Sequence, residues 1–241
     1  MRSLTVGSFN LHWGRAPRTL KPYDVVEACR RIDVDVLALQ EVYRPDGGPS
    51  VAEDVAFELG YSLHEMWTGR AHSTKRSSKP VGRTGAAAGN GDFGQAFLTR
   101  VPHGPVVEHR LDGFISDHCD RAVMTTTVEL DDGVLTIGAS HFPHLEHFSP
   151  LLRWRLRGVV PPIDQPAVLM GDFNMWRWVT RFILPGWHDT VRGATWPTPL
   201  SVFQIDHLLT TPPVVSTDAS VVRAGKSDHR PIRARVFLAP P

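Results

Sequence analysis

The chain has 241 residues and a formal net charge of +1, with 41% hydrophobic and 21% charged side chains. That composition belongs to a folded globular chain with ample core, and its near-neutrality excludes whole-molecule charge as the source of any attraction to a polyanion. No stretch reaches the roughly 20 apolar residues of a membrane span, and Met1 to Asn10 lack the apolar core of a secretory signal, so a cytoplasmic protein and a monomer are expected.

From the N-terminus, Leu4 to Phe9 reads as a short apolar strand. Pro22 suits a helix start, and Val25, Val26, Ala28, Cys29 and Ile32 give that helix one apolar side. Val34 to Leu39 is a buried strand and Val51 to Leu59 a second amphipathic helix, an order that points to α/β layers. Residues 68–92, rich in Gly, Ser, Ala and basic side chains, read as a long loop. Its basic part, 70–83, either tracks a nucleic-acid backbone or is a solvated run. Strands are expected at Phe93–Thr99, Val106–Leu111, Arg121–Leu130 and Val134–Ser140, the last two joined by the Asp131-Asp132-Gly133 turn. Helices at Leu151–Val159 and Trp176–Ile183 flank a strand at Ala167–Gly171, and strands at Phe203–Leu209, Val214–Val222 and Ile232–Leu238 close the chain. With no repeat and no linker, residues 1–241 read as one domain. Cys29 and Cys119 are too few for a disulfide scaffold and read as intracellular thiols, with a single bridge as the alternative.

The informative positions are polar residues at strand ends, where a sheet rim holds side chains rigidly. Asn10 ends the first strand, Glu41 follows the second, and His141 follows the Val134–Ser140 strand. Asp172 and Asn174 sit in Gly171-Asp172-Phe173-Asn174, and Asp228 and His229 precede the last strand. Carboxylate and amide oxygens suit a hard cation such as Mg²⁺, or Mn²⁺. Such a cation polarises a phosphoryl oxygen, and imidazoles stabilise the charge that develops there.

Phe9-Asn10, Gln40-Glu41-Val42, Gly94 to Pro102, Ser140-His141, Gly171 to Asn174, Ile205-Asp206-His207 and Ser227 to Pro231 form a series that resembles the motifs of the endonuclease/exonuclease/phosphatase superfamily, which includes deoxyribonuclease I. The resemblance implies a four-layer α/β sandwich, two packed mixed sheets flanked by helices. It also implies roles: Glu41 as principal metal carboxylate with Asn10 beside it and Asp228 adding to the site. Asp172 positions or deprotonates the attacking water, and Asn174 holds that water or a phosphate oxygen. His229 contacts the scissile phosphate with Asp206 fixing its ring, His141 stabilises phosphate and protonates the leaving oxygen, and Arg121 touches phosphate.

Blander readings stand beside these. Asp172 and Asn174 are also good helix-capping residues. Asp206, inside an apolar strand, needs a partner, and an arginine would serve. Arg121 could close a rim salt bridge. A second Ser-Asp-His at 116–118 precedes Cys119-Asp120 and reads as loop, so Asp117 and His118 are not assigned to catalysis. His141, His144 and His147 with Glu146 invite a zinc reading, which Phe142-Pro143 opposes by breaking any helix there. Trp13, Trp67, Trp176, Trp178 and Trp196 could stack on bases or on a lipid headgroup, with core packing the readier reading for most of them.

The leading expectation is a metal-dependent phosphodiesterase acting on DNA or RNA. The alternatives are an inositol-phosphate phosphatase or a sphingomyelinase-like enzyme acting on a lipid headgroup, and then a non-catalytic binding protein on the same scaffold. An abasic-site enzyme is disfavoured because Ile205-Asp206-His207-Leu208 lacks that branch's aromatic-flanked pattern. A second departure is from deoxyribonuclease I: Asp92-Phe93-Gly94-Gln95 does not place the glutamate that orients the leaving-group histidine, which bears on the role of His141.

Overall fold

A computed structural model describes residues 3–71, 90–111, 120–143 and 150–239. The first sheet comprises β1 (Leu4–Asn10), β2 (Val36–Pro45), β3 (Ser62–Ala71), β4 (Gly91–Thr99), β11 (Val214–Val221) and β12 (Ile232–Leu238), in the order β11-β12-β1-β2-β4-β3. The second comprises β5 (Val107–Arg110), β6 (Ala122–Leu130), β7 (Gly133–His141), β8 (Ala167–Asp172), β9 (His188–Asp189) and β10 (Asp206–Thr210), in the order β5-β6-β7-β8-β10-β9. Each sheet is mixed: β1 and β2 run parallel in the first, β7 and β8 in the second, and the other pairings are antiparallel.

Side-chain alternation explains the layers. Val6, Val36, Ala38 and Phe97 of the first sheet face Met124, Ile137, Ala139, Val168, Met170 and Leu208 of the second in one core. The opposite parity on the first sheet, Phe9, Leu37, Leu39 and Leu98, packs under α1 (Val25–Ile32) and α2 (Val51–Leu59). On the second sheet, Val123, Leu169 and Leu209 pack with Leu152 and Leu156 of α3 (Pro150–Leu156) and with Val179 and Ile183 of α4 (Arg177–Ile183). The result is the four-layer sandwich. Both helices over the first sheet carry strong start signals: Asp24 accepts from the Glu27 amide, and Ser50 and Glu53 form a reciprocal capping box.

Several sequence expectations are corrected. The loop expected from residue 68 gives way to β3, which extends to Ala71, and β4 begins at Gly91, two residues before Phe93. β3 is an edge strand paired with β4 alone, so it tolerates the polar residues that made it look like loop. Arg70, counted with the basic run, is committed to ion pairs with Asp46 and Asp92. The rest of that run, and Asp117, His118, Cys119, His144, Glu146 and His147, lie outside the described residues; Cys29 is a buried free thiol. The strand expected from Phe203 begins at Asp206, because Phe203 instead makes a bridge with Trp196 across a short hairpin.

Candidate active site

The inner-face parity that builds the core also builds the site. Continuing outward from Val6 through Ser8, from Ile137 and Ala139, from Val168 and Met170, and from Leu208, the inward positions reached at the rim are Asn10, His141, Asp172 and Asp206, all buried. Register places His141 beside Asp172 and Asp172 beside Asp206. The parallel pairs thus turn their C-terminal ends to one rim, and the antiparallel β10 begins there. Two sharp backbone features aim the remaining groups. The β2 ladder shifts register between Gln40 and Val42, and Glu41 occupies this bulge at φ +53°, a conformation that re-aims its side chain. Gly171 approaches β7 so closely that a Cβ would lie 1.8 Å from the Ser140 carbonyl oxygen, which only glycine permits.

At the centre, the Asn10 side-chain amide donates to Asp172 Oδ2 at 2.9 Å and to Glu41 Oε1 at 3.3 Å, joining carboxylates from the two sheets. Its orientation is fixed because Asn10 Oδ1 accepts from the His12 backbone amide at 3.0 Å. Asp172 Oδ1 accepts from the Asn174 amide at 2.8 Å, so the turn role of this motif is real, but it leaves Oδ2 facing the rim. Neither residue caps α4, whose N-cap is Trp176. The Asn174 side chain donates to the Phe142 carbonyl at 2.9 Å and so braces the segment after His141.

His229 Nδ1 lies 2.9 Å from Asp206 Oδ2, and since a carboxylate only accepts, the ring donates there. The partner of Asp206 is therefore this imidazole and no arginine is needed. The other nitrogen, Nε2, points toward Asp172 Oδ2 at 3.7 Å, while His141 Nε2 approaches the same oxygen at 3.5 Å. Ser227 holds the closing motif in place: its hydroxyl donates to the Asn10 carbonyl at 2.7 Å and accepts from the His229 amide at 3.1 Å. Asp228 accepts from the Trp196 indole at 3.2 Å. Arg121 is buried and donates to the His141 carbonyl at 3.3 Å, which supports the His141 backbone. Ser227 carries no role of its own in the sequence reading, and Trp196 appears there only among the tryptophans that stack on a substrate or pack in the core. Ser227 was visible as the first residue of the closing motif, whereas nothing local marks Trp196.

Burial and charge set the protonation states. Burial pushes the Asp172 carboxyl up to about 7, with the His229 imidazolium opposing and Asp206 adding to the rise. Burial would lower His229, but Asp206 and Asp172 outweigh it and hold the ring well above its ordinary value. Glu41 is raised by burial and then by the nearby Asp228 charge. Its Oε2 is buried without a hydrogen-bond partner. An unpartnered carboxylate oxygen beside a second carboxylate is costly, and a hard cation relieves both problems. Among the described residues, Asp172, Asp206 and His229 also bring ligand-type atoms within 4.8 Å of one another. His229 Nδ1 is already committed to Asp206 there, so that trio reads better as a proton-handling network than as the cation's seat.

The sequence profile of the endonuclease/exonuclease/phosphatase family matches residues 7–229. No curated protein matches the chain. Among solved structures, an endonuclease/exonuclease/phosphatase from Beutenbergia cavernae superposes with a TM-score of 0.74 at 23% identity, over 99% of this chain and 72% of that one. D. rerio TDP2 in complex with a single-strand DNA product gives 0.65 at 16% identity, over 98% and 100%. ANGEL2, a 2',3'-cyclic phosphatase in complex with adenosine-2',3'-vanadate, gives 0.66 at 12% identity, over 98% and 96%.

Proposed function

The chain belongs to the endonuclease/exonuclease/phosphatase family, and from that premise we propose that this phosphoester hydrolase is a Mg²⁺-dependent nuclease, with Mn²⁺ able to substitute, that cuts phosphodiester bonds in DNA or RNA. The observation that carries the reading is the meeting of Glu41, Asn10, Asp172, Asp206 and His229 at one rim, with Glu41 Oε2 left unpartnered. Glu41 and Asp228 would hold the cation, with Asn10 beside them. Bound there, it supplies electrostatic polarisation of a phosphoryl oxygen.

The chain's own groups do the rest. Asp172, with its pKa near 7, accepts the proton of an attacking water, and Asn10 and the Asn174 amide fix the carboxylate in position. His229, kept charged by Asp206, donates from Nε2 toward a non-bridging phosphate oxygen. His141, on the other side of Asp172, is placed to give a proton to the departing oxygen. Nucleic acid is favoured over a small phosphomonoester by an exposed aromatic run beside the motif: Trp176 lies 6.1 Å from Phe203 and 6.2 Å from Trp178, ring centre to ring centre, and all three are solvent-facing. Such faces stack on unpaired bases at about 1–3 kcal/mol per base. The single-strand DNA bound to D. rerio TDP2 is in keeping with this.

The test is incubation with plasmid, single-stranded DNA, RNA, inositol polyphosphate and sphingomyelin, each with Mg²⁺, Mn²⁺ or EDTA. Cation-dependent cleavage of a nucleic acid is expected. Hydrolysis confined to the inositol phosphate or the lipid would overturn the substrate class, and activity undiminished in EDTA would overturn the cation.

A further inference from the structure

Beside the closing motif, with Ser227 in its lining, lies a cavity of about 780 Å³. Three segments enclose it: residues 16–19 after β1, the 198–201 hairpin tip, and residues 223–227 with Arg230 on the way into β12. Its wall carries Arg18, Arg31, Arg223, Lys226 and Arg230 and no acidic residue. In a chain whose net charge is only +1, five cations around one opening are a strong local concentration. Arg31 is partly answered by Glu27 at 2.9 Å, and Arg230 donates to the Pro199 carbonyl at 2.7 Å. Arg18, Arg223 and Lys226 have no ion pair among the described residues.

The cavity is joined to the site by short, rigid connections. Ser227, which lines it, is the residue that clasps Asn10 and His229. Thr198 donates from its hydroxyl to the Ser227 carbonyl at 2.6 Å and from its amide to the Asp228 carbonyl at 2.8 Å, tying the hairpin tip to the motif. The other end of the same hairpin carries Trp196 and Phe203, so one small element separates a basic opening from an aromatic face.

We infer that this cavity is a subsite for a second phosphate of the substrate, one flanking the ester that is cut. It rests on the reading of the rim as a phosphodiesterase site. A cationic wall without a carboxylate attracts a neighbouring phosphate and repels the quaternary ammonium of a phosphocholine headgroup, so the subsite selects substrates with repeated phosphates. A nucleic-acid backbone and a polyphosphorylated small molecule share that chemistry.

The experiment measures binding without turnover: metal-free protein in EDTA is titrated against a fluorescein-labelled single-stranded oligonucleotide and, separately, against inositol hexakisphosphate, over a range of salt. The double variant Arg223→Glu/Lys226→Glu is compared with the native chain after thermal melts show both to be folded. At least a tenfold loss of affinity is expected. For the oligonucleotide, the slope of log affinity against log salt should shrink by about 1.4, or roughly 0.7 for each lost contact on a single strand. Loss on the oligonucleotide assigns the second phosphate to a nucleic acid, and the same loss seen only with inositol hexakisphosphate assigns it to a small polyphosphate. Equal affinity and slope in native and variant chains, or binding of neither probe, overturns the subsite. Cation-dependent hydrolysis of bis(p-nitrophenyl) phosphate by the native chain, a substrate with one phosphate, reports on the catalytic reading independently.

Discussion

The two sheets share a plan, each with one parallel pair at its centre delivering polar side chains to the same rim, yet they deliver groups in opposite states of satisfaction. The first sheet brings Glu41 on a strained bulge, with one oxygen unpartnered and Asp228 nearby. The second brings Asp172 with both oxygens hydrogen-bonded, one of them by Asn10 of the first sheet, beside His141 and Asp206, and His229 reaches this group from the segment leading into β12. The two states divide the labour: an unbalanced charge at Glu41, suited to a cation, and a satisfied network around Asp172, suited to moving protons.

The sharpest way to break that division is to remove the network. Asp172→Ala and His229→Ala are each expected to lower kcat for a generic phosphodiester by about 10²–10⁴-fold while a circular-dichroism spectrum stays native; near-native turnover in either would end the assignment. Asp206→Asn keeps the shape but weakens the hold on the His229 ring. A loss of about 10–100-fold is expected, the range for partners that orient an active-site imidazole, and kcat should carry it with KM little changed.

Glu41→Gln attacks the other side. Because the buried charge is gone, the variant should melt at a higher temperature than the native chain in EDTA, and added Mg²⁺ should no longer raise its Tm. A native-like Mg²⁺ response would move the cation elsewhere. The smallest effect comes from pH alone. Asp172 and His229 both have folded-state pKa values above their unfolded ones, so each contributes stability at low pH that is lost as pH rises through the folded value. For Asp172 the window runs from about 4 to about 7, and for His229 it begins near 6.5 and continues upward. Scanning calorimetry in EDTA should show Tm falling steadily from pH 5 to pH 8, and the fall should lessen in Asp172→Asn.

Much of this was legible in the chain because strand-end polar residues interrupt an apolar alternation. Asn10, Glu41, His141 and Asp172 all announce themselves in that way, Asp206 came only with the motif series, and that series fixes their order. What stayed hidden has physical causes. β3 is an edge strand with a polar face, so periodicity does not separate it from loop. Phe203 looks like the start of β10, but its bridge to Trp196 depends on a partner seven residues away that no local pattern names. The support given by Arg121 to the His141 backbone, and by Trp196 to Asp228, arises only when distant segments meet.

The order of strands along the chain carries a consequence for synthesis. The second sheet, β5 through β10, is one uninterrupted stretch, whereas the first is split, with β11 and β12 following the second sheet in the chain and β12 laid against β1. A growing chain on the ribosome can therefore complete its second sheet while β1 still lacks a neighbour on one edge. His229 precedes β12, so it meets Asp206 at the rim only when that strand is laid against β1.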